Sequence, residues 1–326
     1  MSILISGGAG YIGSHMVLAA LERGDDVVVL DNLSTGFRAL VADRAVFHQG
    51  NAGDKATLLR LFEYHSVTAV IHFAGSIVVP ESVANPLTYY GNNTVVSRTL
   101  IEACVQAGVK NFIFSSTAAV YGMPKQNPIA ETVEPMPINP YGRSKLMTEW
   151  MLEDAARAHD LRYVALRYFN VAGADPAGRS GQSTPNATHL IKRACQAALG
   201  RIPALDIFGT DYPTPDGTGM RDYIHVSDLV AAHALALGHL ESGGASTVLN
   251  CGYGHGFSVR QVIDAVTAVT GRKIATRESP RRPGDAAALI ADSSKLQSQL
   301  GWQPAHDNLE EIVSTAYAWE RRLDAA

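Results

Sequence analysis

Cysteine is scarce in this chain: Cys104, Cys195 and Cys251 are the only three in 326 residues, and they lie far apart. An odd, dispersed set without metal-ligand spacing gives no support to a disulfide framework or a cysteine metal site. It reads as incidental thiols in a reducing compartment. Neither sign of charge is in excess. Lys and Arg number 27 and Asp and Glu 31, for a net charge of −4. Without long basic runs there is no electrostatic case for nucleic acid or an anionic membrane. No apolar run approaches the ~20 residues that a membrane span needs. The chain opens at once on the strand-like Ile3-Leu4-Ile5, with no charged-then-apolar signal segment before it. Internal repeats and low-complexity linkers are also missing. A soluble, cytoplasmic protein without a metal site is expected. What is present is core material: 46% of residues are hydrophobic, enough for one or two domains.

The first half alternates strand and helix patterns. An apolar strand at 2–6 runs into Gly7-Gly8-Ala9-Gly10-Tyr11-Ile12-Gly13, a helix pattern follows at 14–23, and a buried strand at 26–31 ends in Asp31. Strand, glycine turn, helix, strand and acid together form the dinucleotide-binding arrangement. Gly7, Gly10 and Gly13 are spaced G-x-x-G-x-x-G. Such glycines allow a tight turn and a close approach of backbone to pyrophosphate, at a helix N-terminus whose dipole favours anions. The carboxylate of Asp31 can take both adenosine ribose hydroxyls and repel a 2′-phosphate. Asn32 follows it and no Arg is adjacent, which favours NAD over NADP.

Further strands are expected at 45–48, 69–73, 111–116 and 163–169, with helices at 55–65 and 93–107. The implied fold is α/β: a doubly wound parallel sheet of Rossmann type, covered on both faces. Ligands bind beyond the carboxyl ends of such strands, where Phe73-Ala74-Gly75 and Ser115-Ser116-Thr117 lie.

Asn139-Pro140-Tyr141-Gly142-Arg143-Ser144-Lys145 begins the next helix. Asn139 can cap it, and Pro140 fits a first position that needs no N–H. Tyr141 and Lys145 then share one face, a turn apart. A nearby ammonium lowers a phenol pKa from its usual ~10, so Tyr141 could take a proton from a substrate alcohol. The pair alone reads rather as an ordinary helix start with a surface Tyr and Lys, since Y-x-x-x-K is common by chance.

Composition shifts towards Gly, Pro and Ser over 173–185, which marks a domain boundary. A nucleotide-binding domain is expected at 1–169 and a smaller C-terminal, substrate-binding domain at 170–326, with 220–250 packing back on the first. Helices are expected at 189–199, 227–240, 258–270 and 309–319, and strands at 204–208 and 247–250. Residues 211–219 form a turn-rich loop, and Arg281-Arg282-Pro283-Gly284-Asp285 a basic loop between helices. A guanidinium matches phosphate oxygens bidentately, but Arg221 and Arg282 taken singly are ordinary surface ion-pair partners.

Several segments carry a specific resemblance. Gly7-x-x-Gly10-x-x-Gly13, His72-Phe73-Ala74-Gly75, Ser115-Ser116-Thr117 and Tyr141-x-x-x-Lys145 resemble the extended short-chain dehydrogenase/reductase superfamily. Asp31-Asn32-Leu33-Ser34, Glu81-Ser82-Val83, Val120-Tyr121-Gly122, Arg167-Tyr168-Phe169-Asn170, the run from Gly209 to Thr218, and Arg221-Asp222-Tyr223-Ile224-His225-Val226 resemble its UDP-galactose (UDP-glucose) 4-epimerase family. The resemblance covers almost the whole length. It implies catalysis by Tyr141, Lys145 and Thr117. It implies NAD contacts from Gly7, Gly10, Tyr11, Ile12, Gly13, Asp31, Asn32, Asn51, Ala52, Phe73, Ala74, Gly75, Asn92, Thr117, Tyr141, Lys145 and Tyr168. For a UDP-sugar it implies Arg221 and Arg282 at the diphosphate, Asp285 at the uridine ribose and Phe208 beside uracil. Thr117, Phe169, Asn170, Leu190 and Tyr223 complete that set, with His189 where the family varies between Asn and His. Leu289 matches a position beside the rotating sugar, and is equally readable as a core residue of a strand at 288–291. His225 is expected to be structural.

There are departures. Thr117 replaces a common Ser and keeps the hydroxyl. Ile77 stands where the best-studied pattern has a cofactor-contacting Lys, and Asn51 where an Asp commonly contacts adenine.

The activity implied is interconversion of UDP-galactose and UDP-glucose with tightly held NAD, through a 4-keto sugar, by a homodimer formed through the helices matching 93–107 and 141–159. A competing reading is another sugar-nucleotide reaction: 4,6-dehydration, decarboxylation or simple dehydrogenation. The dehydratases resembling this fold place acids directly after the active-site Thr, where this chain has Ala118 and Ala119. A third reading, a non-catalytic NAD sensor, predicts loss of at least one of the Tyr, Lys and Thr.

Overall fold

Residues 1–185, 187–282 and 285–323 are described by the computed structural model. The apolar runs of the first half become strands β1 (Ser2–Ser6), β2 (Asp26–Asp31), β3 (Val46–Gln49), β4 (Ala69–His72), β5 (Asn111–Thr117) and β6 (Arg162–Tyr168). With β11 (Thr247–Cys251) they form one parallel sheet in the order β11-β6-β5-β4-β1-β2-β3. Side chains alternate between two cores, as a two-residue period requires. Ile3, Ile5, Val27, Val29, Ile71 and Ile113 enter one. Leu4, Val28, Leu30, Val70, Phe112 and Phe114 enter the other. Helix α1 (Tyr11–Arg23) covers the first face together with α8 (Val226–Glu241). Helices α2 (Lys55–Tyr64), α5 (Val96–Ala107) and α6 (Pro140–Ala158) cover the second.

The strand order reverses at β1, which lies between β2 and β4. That switch opens a crevice at the carboxyl ends of the strands.

A third core joins α7 (Leu190–Ala198), α9 (Val259–Thr270) and α11 (Leu309–Leu323) to β8 (Leu205–Phe208). Short pairings frame it. Strand β7 (Asn170–Ala172) runs parallel to β10 (Tyr223–His225). Between β12 (Phe257–Ser258) and β14 (Ala288–Leu289) lies β9 (Met220–Arg221), and β13 (Thr276–Ser279) pairs with β8. Among the described residues, no helix is long and apolar enough to cross a membrane.

Four expectations need correction. Helix α1 begins at Tyr11, so Gly13 lies inside it, not before it. The helix expected from Asn93 is preceded by α3 (Val79–Ala84), α4 (Pro86–Tyr89) and a π-helical turn, Tyr90–Val95. The C-terminal helix continues to Leu323, about one further turn, mostly charged, that apolar periodicity could not bound. The basic loop after Arg281 joins strands β13 and β14, not helices. Its Pro283 and Gly284 lie outside the described residues.

Candidate active site

Most of the expected cofactor residues stand at the carboxyl ends of β1 to β6 or on the turns that follow, while Tyr11, Ile12 and Gly13 open α1, Asn92 lies in the π-helical turn, and Tyr141 and Lys145 lie on α6. Gly7 takes φ +76°, and a Cβ there would meet the Ala74 nitrogen at 2.6 Å, so the loops after β1 and β4 touch through backbone alone. A Cβ on Gly13 would collide with the Gly7 carbonyl. Gly10 caps α1 with no side-chain hydrogen bond, which leaves the first-turn N–H groups facing the crevice. The buried Asp31 carboxylate accepts from Ala9 N at 2.9 Å and Leu33 N at 2.8 Å. Asn32 and Asn51 turn their own loops, accepting from Ser34 N and Gly53 N. Tyr11 donates its hydroxyl to Gly173 O at 2.7 Å, tying the glycine turn to the second lobe. Ile12 and Ala52 pack into the cores, so only their backbone can serve a ligand. Tyr168, at the end of β6, accepts from Ser115 Oγ at 2.9 Å.

Asn139 caps α6 by accepting from Gly142 N at 2.8 Å, with Pro140 in the first turn. Tyr141 and Lys145 are both buried. Burial pushes the Tyr141 phenol up, and a hydrogen bond with Thr117 opposes it. Thr117 ends β5, and its hydroxyl also accepts from Ala119 N at 3.1 Å. The expected lowering of the phenol by Lys145 is not what the protein groups produce. The Lys145 ammonium donates to Ser115 O at 2.9 Å and lies 4.9 Å above the Phe114 ring. Burial brings it down to about 8, and the Glu149 carboxylate pulls it back up. Helical spacing put the two residues on one face, but the long Lys side chain reached a strand-end carbonyl instead.

Sequence reasoning missed the supports of this trio. Asn93, 2% exposed, accepts from Ser76 N and donates to Ser76 O and to Ser144 Oγ. It clamps the loop after Gly75 to the helix that carries Tyr141 and Lys145. The π-turn aims it there; no periodic signal in the sequence marks that turn. Its neighbour Asn92 reaches Ser76 Oγ at 3.1 Å. Beneath Lys145, Glu149 accepts from Ser116 Oγ at 2.5 Å and from Arg167 Nε at 3.0 Å. Arg167 continues to Tyr121, and Tyr121 to Asn250. Buried polar groups of this kind are fully partnered or costly.

In the smaller lobe Arg221 meets Arg282 and Asp285, which lie three residues apart in one loop. Asp285 lies 3.8 Å from Arg221 and 3.1 Å from Arg282. Arg282 stacks 4.5 Å over the Phe208 ring. Tyr11, Asn170, His189, Leu190, Tyr223 and the unexpected Trp319 line one cleft. The His189 imidazole is lowered by burial and then by Lys192. His189 also precedes α7, which has no side-chain cap. Leu289 is not part of the cleft lining and lies on the side of Ala118, the residue after Thr117. It pairs in register with Arg221 and packs, partly buried, on the cluster of Ala118, Tyr121 and Phe169. His225 is fully buried and bonds to Thr315 and Ser227 N, a structural set of contacts.

Known proteins match the chain over most of its length. Residues 3–252 match the model of the "NAD dependent epimerase/dehydratase family". A UDP-glucose 4-epimerase of Azospirillum brasilense is 57% identical over 99% of this chain and 92% of its own. The crystal structure of UDP-glucose 4-epimerase from Brucella ovis in complex with NAD is 45% identical, with a TM-score of 0.95 over 97% of each chain. That from Bifidobacterium longum in complex with NAD+ and UDP is 37% identical, with a TM-score of 0.94 over 99% of this chain and 98% of its own. By sequence and fold, the chain belongs to the NAD dependent epimerase/dehydratase family.

Proposed function

We propose that the protein interconverts UDP-galactose and UDP-glucose by inverting C4, with NAD held throughout the cycle. The observation that carries this is the meeting of Tyr141 with Thr117 at the end of β5, Lys145 one turn further along α6, and a pair of arginines, Arg221 and Arg282, gathered on Asp285 in the smaller lobe. The UDP-glucose 4-epimerase names of the relatives support it. Residues 1–169, with α8 and β11, serve the cofactor, and the remainder of 170–326 serves the UDP-sugar.

The crevice suits NAD. Its Gly7–Ala74 approach admits no side chain, the first turn of α1 offers N–H groups to a pyrophosphate, and Asp31 can take ribose hydroxyls. Bound there, NAD supplies the hydride acceptor and donor for the sugar C4. Tyr141 takes the proton of the 4-hydroxyl, and Thr117 donates a hydrogen bond to the 4-oxygen. Lys145 anchors the nicotinamide ribose. Arg221, Arg282 and the uncapped start of α7 grip the diphosphate while the 4-keto sugar turns over. Asp285 exchanges its arginine contacts for the uridine ribose, and Phe208 covers the base. Asn170, His189 and Tyr223 border the sugar. Purified protein mixed with UDP-galactose and no added cofactor should yield UDP-glucose. Absence of product after NAD has also been supplied would end the proposal.

The 4-keto sugar should be returned, not dehydrated. Elimination needs groups that move protons at C5 and at the 6-hydroxyl, and Ala118 and Ala119 after Thr117 can do neither. Mass spectrometry of UDP-glucose turnovers should therefore show no 4-keto-6-deoxy sugar; its accumulation would reassign the enzyme.

Leu289 should disfavour N-acetylated sugars. An acetamide beside it must displace packed apolar atoms, at typically ~1–3 kcal/mol, or about a ten- to hundredfold loss in kcat/KM. Leu289→Cys should recover part of that loss on UDP-N-acetylglucosamine. Equal wild-type values on plain and acetylated sugars, or no recovery in the variant, would leave Leu289 a core residue only.

A homodimer is proposed through α5 and α6. Trp150 on α6 is 54% exposed and Val95, just before α5, is 56% exposed, an unusual outlay of apolar surface. Trp150→Glu should shift the sedimentation coefficient to that of a monomer; a wild type that already sediments as a monomer refutes this. The cytoplasm is its proposed compartment, consistent with three buried free thiols.

A further inference from the structure

We propose that His48 and His65 form a binding site for a divalent transition cation of the copper(II) or nickel(II) class. His48 lies on β3, the edge strand of the sheet. Phe47 packs on the α1 face, so alternation turns His48 to the opposite face, towards α2. His65 caps the C-terminal end of α2. The two half-buried rings meet across this seam with their Nε2 atoms 3.0 Å apart and ring centroids 5.2 Å apart. Among the described residues neither Nε2 has another hydrogen-bond partner.

Two neutral imidazoles in such contact share one proton: one Nε2 donates and the other accepts. A cation takes the place of that proton when the donor ring moves its hydrogen to Nδ1, which leaves two lone pairs and no net change in protons. Metal–imidazole bonds of ~2.0–2.1 Å to nitrogens 3.0 Å apart subtend roughly 94° at the cation. That is the angle between neighbouring ligands of a tetragonal ion, narrower than the ~109° of tetrahedral zinc. Each ring turns by a few tens of degrees to aim at a common point, which half-exposed side chains permit. Waters complete the coordination. Burial, followed by the charge of His48, lowers the proton affinity of His65, and a neutral imidazole is the form that ligates.

The site is built from residues outside the proposed active site. Its effect would be to staple the edge strand to α2, two residues before the Gly50-Asn51 turn. A ligand that binds only the folded chain raises its stability by mass action.

The test is calorimetric titration of the untagged, full-length protein with NiCl2, and electron paramagnetic resonance of the CuCl2-loaded protein. One equivalent should bind, with the splitting of two nitrogens. His48→Gln and His65→Gln should each weaken binding at least tenfold and abolish the nickel-induced rise in Tm. Both variants should keep the wild-type turnover measured without metal. Unchanged affinity in either variant, a spectrum with one nitrogen or none, or no binding at millimolar nickel would each overturn the site.

Discussion

Tyr141→Phe is expected to lower turnover by roughly two or more orders of magnitude while fold and NAD content stay at wild-type levels. The ring fills the same buried space, so only the hydroxyl is removed. That hydroxyl is the one acid–base group that α6 places beside Thr117. The protein groups hold it neutral, because burial outweighs the Thr117 hydrogen bond and the Lys145 ammonium is turned to Ser115 O. A base at neutral pH needs a further positive charge nearby, and an oxidised nicotinamide carries one. Wild-type kcat should therefore fall as pH drops through the ionisation of the phenol in the holoenzyme. In Tyr141→Phe the residual rate should lose that limb. Turnover within a few-fold of wild type would remove Tyr141 from the mechanism, and an unchanged acid limb would assign the ionisation to another group.

The second large effect concerns cofactor choice. NAD should bind at least about a hundredfold more tightly than NADP. A 2′-phosphate would face the Asp31 carboxylate, and like charges in contact cost several kcal/mol. The carboxylate cannot easily swing away, since Ala9 N and Leu33 N hold both of its oxygens. Asp31→Asn keeps an oxygen acceptor for the turn and removes the charge. It should narrow the preference by raising NADP affinity more than it lowers that for NAD. Competitive binding to protein stripped of nucleotide measures both. Purification with NADP(H) bound, or a preference untouched in Asp31→Asn, would show that Asp31 is not the discriminator.

Both effects depend on positions that were readable before the fold was known, but for different reasons. Asp31 ends an apolar strand a fixed distance after a glycine turn, and strand, turn and helix are each specified by neighbouring residues. Asn139 and Pro140 likewise mark the start of α6 locally, which puts Tyr141 in its first turn. The cleft residues were legible only through resemblance, because nothing in a lone Arg or Asn states what it will face.

What the sequence determined by itself was the period and punctuation of the chain. Runs such as Val27–Leu30 are apolar at every position, and only a parallel sheet buried on both faces can use them. The glycine spacing and the terminal acid then marked where a dinucleotide could lie. The tertiary structure decided the rest. The return of 220–250 to the first domain was expected, but the structure chose its partners, β6 for Thr247–Cys251 and α1 for α8. It turned Lys145 to a strand-end carbonyl, drew Asp285 between two arginines, and set Asn93 in a π-turn against Ser76 and Ser144. Local propensity reaches only a few residues along the chain. A long polar side chain chooses its partner from whatever the packed elements bring within about 3 Å, and no periodicity in the sequence encodes that.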